Sequence, residues 1–116
     1  MDNKELALEA ARVLSAKKAQ DITIIDIAEQ SSFADFFVNA TAANERQLGA
    51  LVGEAEEQLA KADVLPKNVE GRPSSGWMLM DYGDLIINIF LPQQREMYQI
   101  EKVWSDGVFL EWKEKE

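Results

Sequence analysis

Apolar residues recur along this chain in two periods, and the switches between them lay out an alternation of helices and strands. Asp2 or Asn3 can cap a first helix in which Leu6, Ala10, Val13 and Leu14 fall at helical spacing, with Lys17 and Lys18 well placed near its C-terminal end. DITIIDI, residues 21 to 27, is β-branched, with Ile22 and Ile24 on one face and Ile25 and Ile27 on the other. Apolar residues on both faces predict a central strand covered on both sides. The run from Phe33 to Ala40 reads as a second strand, set off by the polar corner Glu29-Gln30-Ser31-Ser32. Asp35 interrupts it, as a turn or bulge residue at the strand entry or as an inward carboxylate in need of a partner, and the first reading is favoured. Asn44 then opens the clearest helix. Gln47 completes a capping-box arrangement, and Leu48, Leu51, Val52, Ala55 and Leu59 form one apolar stripe opposite Glu54, Glu56 and Glu57.

Beyond Pro66, Asn68-Val69-Glu70-Gly71 forms a short third strand and GRPSSG a polar loop. Two apolar runs, Trp77 to Met80 and Leu85 to Phe90, flank Asp81-Tyr82-Gly83-Asp84, a hairpin turn in which Gly83 supplies the positive φ. Leu85, Ile87 and Ile89 share one face of the fifth strand, and Ile86, Asn88 and Phe90 the other. Asn88 is out of place there. An unpartnered amide in such a strand costs roughly 1 to 3 kcal/mol, so it is either bonded internally or reached by water or a partner. Pro92 ends the strand and admits a helix with Met97, Ile100, Val103 and Trp104 on one side and Tyr98, Glu101 and Lys102 further round. Gly107 breaks it, and the tail VFLEWKEKE is expected to pack as a short extended arm or to fray. The order predicts an α/β domain with a mixed sheet of about five strands and helices packed on its faces.

Composition narrows the functional classes. The 116 residues suit a single domain spanning residues 1 to 116, with a peripheral tail from residue 107, and 47% hydrophobic content with three Trp provides for a core. There is no Cys for disulfides or thiolate metal sites and no His, the commonest general base. No apolar run nears the roughly 20 residues of a membrane span, and the acidic start is unlike a targeting peptide, so a cytoplasmic, membrane-free protein is expected. Twelve basic against 21 acidic side chains give a net charge of −9, which disfavours direct RNA binding and points to a basic protein partner.

The words WMLMDYGD and REMYQIEKVW, with SSFADFF and NVEG earlier in the chain, resemble the ribosomal silencing factor family, also called Iojap-related, over about residues 4 to 106. The family's WxLxDYGD motif falls on Trp77, Leu79, Asp81, Tyr82, Gly83 and Asp84. Its RxxYxxExxW motif falls on Arg95, Tyr98, Glu101 and Trp104, and its SSFADxF motif on Ser31, Ser32, Phe33, Ala34, Asp35 and Phe37. The resemblance implies a nucleotidyltransferase-like topology and a translational repressor without cofactor. Such a repressor binds the large ribosomal subunit through ribosomal protein number fourteen and blocks joining of the small subunit in starvation or stationary phase. Three positions depart from the pattern: Asn88 and Asn68 stand where the family often carries His, and Ala42 where it carries Gly.

The residues themselves offer three functional readings. The nucleotidyltransferase-like topology that the resemblance implies raises an enzymatic one, in which Asp81 and Asp84, with Glu70 near, hold a divalent metal for nucleotidyl or phosphoryl transfer. Against it, an Asp-x-Gly-Asp turn is ordinary hairpin chemistry, no phosphate loop precedes the carboxylates, and only Arg72 is at hand for a triphosphate. The favoured reading is a binding surface. Trp77, Tyr82, Tyr98 and Trp104 are amphipathic anchors, and Asp81, Asp84 and Glu101 can meet Arg or Lys on a basic partner, with Asn88 within reach. Tyr82 is expected to be exposed at the turn apex, while Trp77 and Trp104 divide evenly between core and interface. The third reading is self-association into a homodimer through the tail and an exposed sheet edge.

Overall fold

The structure, a computed structural model, describes residues 2 to 112. Helix α1 (Asn3–Ala16) starts at Asp2, whose carboxylate accepts the Glu5 N–H at 2.8 Å and satisfies one of the donors a helix N-terminus leaves open. Leu6, Ala7, Ala10, Ala11, Val13 and Leu14 bury its inner stripe. The chain turns through Lys18, at φ 71°, into β1 (Gln20–Asp26).

Strand β2 (Phe36–Thr41) begins three residues later than the apolar run predicts. The Ser31 hydroxyl accepts the N–H groups of Phe33 and Ala34, holding residues 31 to 34 in a turn. Asp35 is therefore the entry residue, with its carboxylate accepting from Asn3 Nδ2 at 3.0 Å. Helix α2 (Glu45–Ala60) is capped by Asn44, which accepts the Gln47 N–H at 2.8 Å. The reciprocal bond is shifted by one residue, because Gln47 Oε1 accepts from Ala43 at 2.6 Å rather than from Asn44 itself. The predicted stripe of Leu48, Leu51, Val52, Ala55 and Leu59 is buried.

Strand β3 (Asn68–Arg72) and β4 (Trp77–Asp81) are joined through a 3-10 turn at Pro73–Ser75, and β4 pairs with β5 (Leu85–Phe90). The sheet has six strands in the order β3-β4-β5-β2-β1-β6, the last being a two-residue strand, β6 (Val108–Phe109), drawn from the tail. Residues 108 to 112 of the tail pack as an arm along β1, where Ile25 and Asp26 pair with Phe109 and Val108 and Trp112 Nε1 donates to the Ile22 carbonyl, while residues 113 to 116 of the expected arm lie outside the described residues. Every pairing is antiparallel except the central one, where β2 and β5 run parallel from Phe36↔Leu85 to Thr41↔Phe90.

The two faces are unlike. On one, Ile24, Val38, Ala40, Met80, Leu85, Ile87 and Ile89 lie under α1 and α2 in the main core. Each of these buried Ile, Leu, Val and Met side chains is worth about 1.5 to 3 kcal/mol. On the other, a smaller cluster of Ile25, Ile27, Ala34, Phe37 and Ile86 is covered in part by Leu79, Ile100 and Trp104. The cover comes from two short helices, α3 (Pro92–Tyr98) and α4 (Ile100–Val103), rather than the single predicted helix. Gln99, at φ 44° and ψ 53°, breaks the run. The break overturns the predicted facing: Met97 and Val103 are exposed, while Ile100 and Trp104 pack inward.

Candidate functional site

The second face of the sheet carries the motif residues Trp77, Leu79, Phe37 and Trp104, and the hairpin turn at its edge carries Asp81 to Asp84. In the hairpin turn Gly83 sits at φ 91°, and the Asp81 carboxylate accepts the Gly83 N–H at 2.8 Å, closing its own turn. Asp84 is exposed, and its carbonyl takes the N–H groups of Asp35 and Phe36, at 2.8 and 3.0 Å, which ties the start of β5 to β2. Among the described residues, no three acidic side chains are grouped to hold a metal ion.

Tyr82 departs from expectation. It is half-buried against the main core rather than exposed at the turn apex. Its hydroxyl is buried and has no hydrogen-bond partner among the described residues. Burial first, and the charge of Glu56 on α2 second, push the phenol up to about 12.

Across the middle of this face runs a continuous polar chain. Trp77 Nε1 donates to Asn88 Oδ1 at 3.1 Å, and Asn88 Nδ2 donates to Asn39 Oδ1 at 3.1 Å. Asn39 Nδ2 in turn donates to Thr23 Oγ1 at 3.2 Å, and that hydroxyl donates to Glu101 Oε2 at 2.7 Å. Arg95 closes the chain, with Nη2 and Nε on the two Glu101 oxygens at 2.6 and 3.3 Å and Nη1 on Thr41 Oγ1 at 2.9 Å. The sheet register places these groups: Asn39 lies beside Asn88 in the parallel pair and Thr23 opposite Asn39 in the antiparallel one. Asn88 is only 1% exposed, so the amide is bonded internally and stands beneath the surface. Glu101 has both oxygens engaged inside the fold. Burial raises its pKa, but the bonds from Arg95 and Thr23 and the Arg95 charge outweigh this and hold the carboxyl below its ordinary 4.5.

The aromatic residues stand at the two ends of this chain. Trp77 stacks on Phe90 at 5.5 Å between centroids and meets Tyr98 at 4.9 Å, and Tyr98 itself is 44% exposed. At the other end Trp104 presents its edge to Phe37 at 5.4 Å and to Phe33 at 6.0 Å, with Phe33 57% exposed. Both Trp side chains are half-buried, so each packs inward and still reaches the surface. Between β3, β4 and α3 lies a groove of about 250 Å³ lined by Glu70, Gly71, Ser75, Trp77, Leu79 and Tyr98.

The break at Gln99 is what lets the spacing of Arg95, Tyr98, Glu101 and Trp104 address one surface, since every one of the four touches the sheet face or its aromatic rim. Sequence reasoning missed Asn39, Thr23 and Thr41 as members of the site. A signal was present: FFVNAT and LIINIF each carry a single Asn at the fourth position, flanked on both sides by apolar residues.

Comparison with known proteins identifies the family and the fold. A family model described as "Ribosomal silencing factor during starvation" matches residues 1–116. The chain is 30% identical over 107 residues to the ribosomal silencing factor RsfS of Bacillus subtilis, covering 92% of this chain and 91% of that one. It is 29% identical over 97 residues to the mouse "Mitochondrial assembly of ribosomal large subunit protein 1", covering 80% of this chain and 42% of the mouse protein. A crystal structure of a Chromobacterium violaceum protein superimposes with a TM-score of 0.87 at 31% identity, covering 90% of this chain and 88% of that one. The chain belongs to the ribosomal silencing factor family.

Proposed function

We propose that this protein represses translation by binding the large ribosomal subunit through ribosomal protein number fourteen and sterically excluding the small subunit. The observation that carries the reading is the aromatic face on which the three motifs meet, in a chain of the silencing family. Trp77, Tyr98 and Trp104 are the contact residues, with Asp84 at the rim. Asn88 and Glu101 fix the anchors from below, and Asp81 and Tyr82 shape the turn beside them. The large subunit as partner accords with the name of the mouse relative. A net charge of −9 suits a basic ribosomal protein better than ribosomal RNA. The reading needs no catalytic group, and one oxygen of the Asp81 carboxylate serves its own turn. Among the described residues no helix is long and apolar enough to cross a membrane, and the cytoplasm is the place of action in this reading.

A standard interface uses about 20 to 30 residues a side, and nanomolar affinity corresponds to roughly 12 kcal/mol, which a few desolvated aromatic anchors can dominate. Mixing the protein with separated subunits and resolving the mixture on a gradient tests the proposal. Cosedimentation with the large subunit and fewer joined ribosomes are expected, with Tyr98→Ala, at an exposed position, weakening both about tenfold or more. Binding without any loss of joined ribosomes would end the steric reading, and binding to neither subunit would end the ribosomal one.

A further inference from the structure

We infer that the groove beside Trp77 is a receptor for one arginine side chain, presented by the basic partner and recognised by Glu70 together with the aromatic rings of Trp77 and Tyr98. The inference rests on the proposed binding surface and deepens it, since it names the chemistry received there. The groove offers about 250 Å³, walled by Trp77, Leu79 and Tyr98 and bordered by Gly71 and Ser75, and Glu70 is the single carboxylate in its lining. Glu70 is exposed, makes no ion pair among the described residues, and accepts from Asn68 Nδ2 at Oε2, 3.1 Å away. Its remaining acceptor capacity is open to a cation.

The acidic residues picked out by sequence are less suited to this task. Asp81 and Asp84 lie outside the groove lining, and Glu101 is bound by Arg95 and Thr23. The walls are preorganised. Trp77 is held by its bond to buried Asn88 and by its stack on Phe90, and Gly71 admits the close approach of the β4 backbone, since a Cβ there would fall 2.3 Å from the Trp77 carbonyl. Flat aromatic walls with one carboxylate favour a guanidinium, which stacks on a ring while donating to the carboxylate in its own plane; an ammonium is more strongly hydrated and presents no plane. The overall charge of −9 draws a basic side chain toward the groove.

The test is a nuclear magnetic resonance titration of the whole chain with N-acetyl-arginine methylamide, with the lysine and norleucine analogues as comparators. Saturable shifts of the Trp77 indole N–H and of the Tyr98 ring with the arginine probe are expected, weaker with lysine and absent with norleucine. Glu70→Gln should weaken the arginine response about tenfold while leaving the hairpin resonances in place. No response to arginine, or an equal response to norleucine, overturns the inference even if the protein cosediments with large subunits. A response to arginine that needs Glu70, in a protein that binds no subunit, supports the groove and refutes the proposed function instead.

Discussion

Asn39 and Asn88 occupy positions where neighbouring residues of β2 and β5 are aliphatic or aromatic, and their side-chain amides are inaccessible to water. Such a pair is tolerable only when satisfied, and here each amide passes its bonding on to the next group. Asn39→Leu keeps the branched shape of the side chain but strands the Asn88 Nδ2 donor, while the Thr23 hydroxyl keeps its bond to Glu101. It is expected to lower stability by about 1 to 3 kcal/mol in urea denaturation, and to alter Trp77 emission although Trp77 is untouched. Tyr82 supplies a second residue-scale prediction. With Tyr98→Phe leaving it the only tyrosine, its phenolate absorbance should appear near pH 12. The folded pKa is raised above 10.0, so the native state holds its proton longer than the unfolded chain, and stability should fall as pH rises from 10.0 toward about 12. Asn88 was recognisable in the sequence as out of place, whereas its pairing with Asn39 was not, because strand periodicity gives a residue's face but not which strand lies alongside. Tyr82 misled for a related reason: a turn apex is usually wet, but this turn lies against the α1–α2 layer.

At the scale of elements, the long amphipathic helices and the hairpin were legible, since many residues repeat the same signal in each. What escaped was short and fixed by single residues. The division of α3 from α4 turns on Gln99 in the left-handed region, which neither Gly nor Asn announces. The strand β6 is two residues long and exists because the edge of β1 accepts it. Gln99 is testable: Gln99→Val puts a β-branched side chain at φ 44° and should cost about 1 to 3 kcal/mol, whereas Gln99→Gly should be tolerated. The same Val variant should loosen the grip of Arg95 on Glu101, read as heightened amide exchange in α3 and α4 ahead of the sheet. Equal exchange in the two variants would show that the break does not govern the site.

For the molecule as a whole, the Arg95–Glu101 pair fastens the thin layer to the sheet and makes that fastening depend on pH. The folded carboxyl titrates below its ordinary 4.5, so its contribution is complete above that value and fades as pH drops through the lowered one. Urea midpoints should therefore decline on acidification below about 4.5, and Glu101→Gln should flatten the decline while lowering stability at neutral pH. The sheet also has unequal borders. β6 occupies part of one margin and is itself only two residues long, while among the described residues β3 leaves a five-residue margin unpaired at the other. A chain with two good margins can recruit copies at both and grow without limit. A chain with one can at most join a second copy margin to margin, after which nothing remains to propagate. The C-terminal arm pairs with only Ile25 and Asp26, so it narrows the β1 margin without closing it, and the longer β3 margin becomes the favoured edge for any strand pairing between copies.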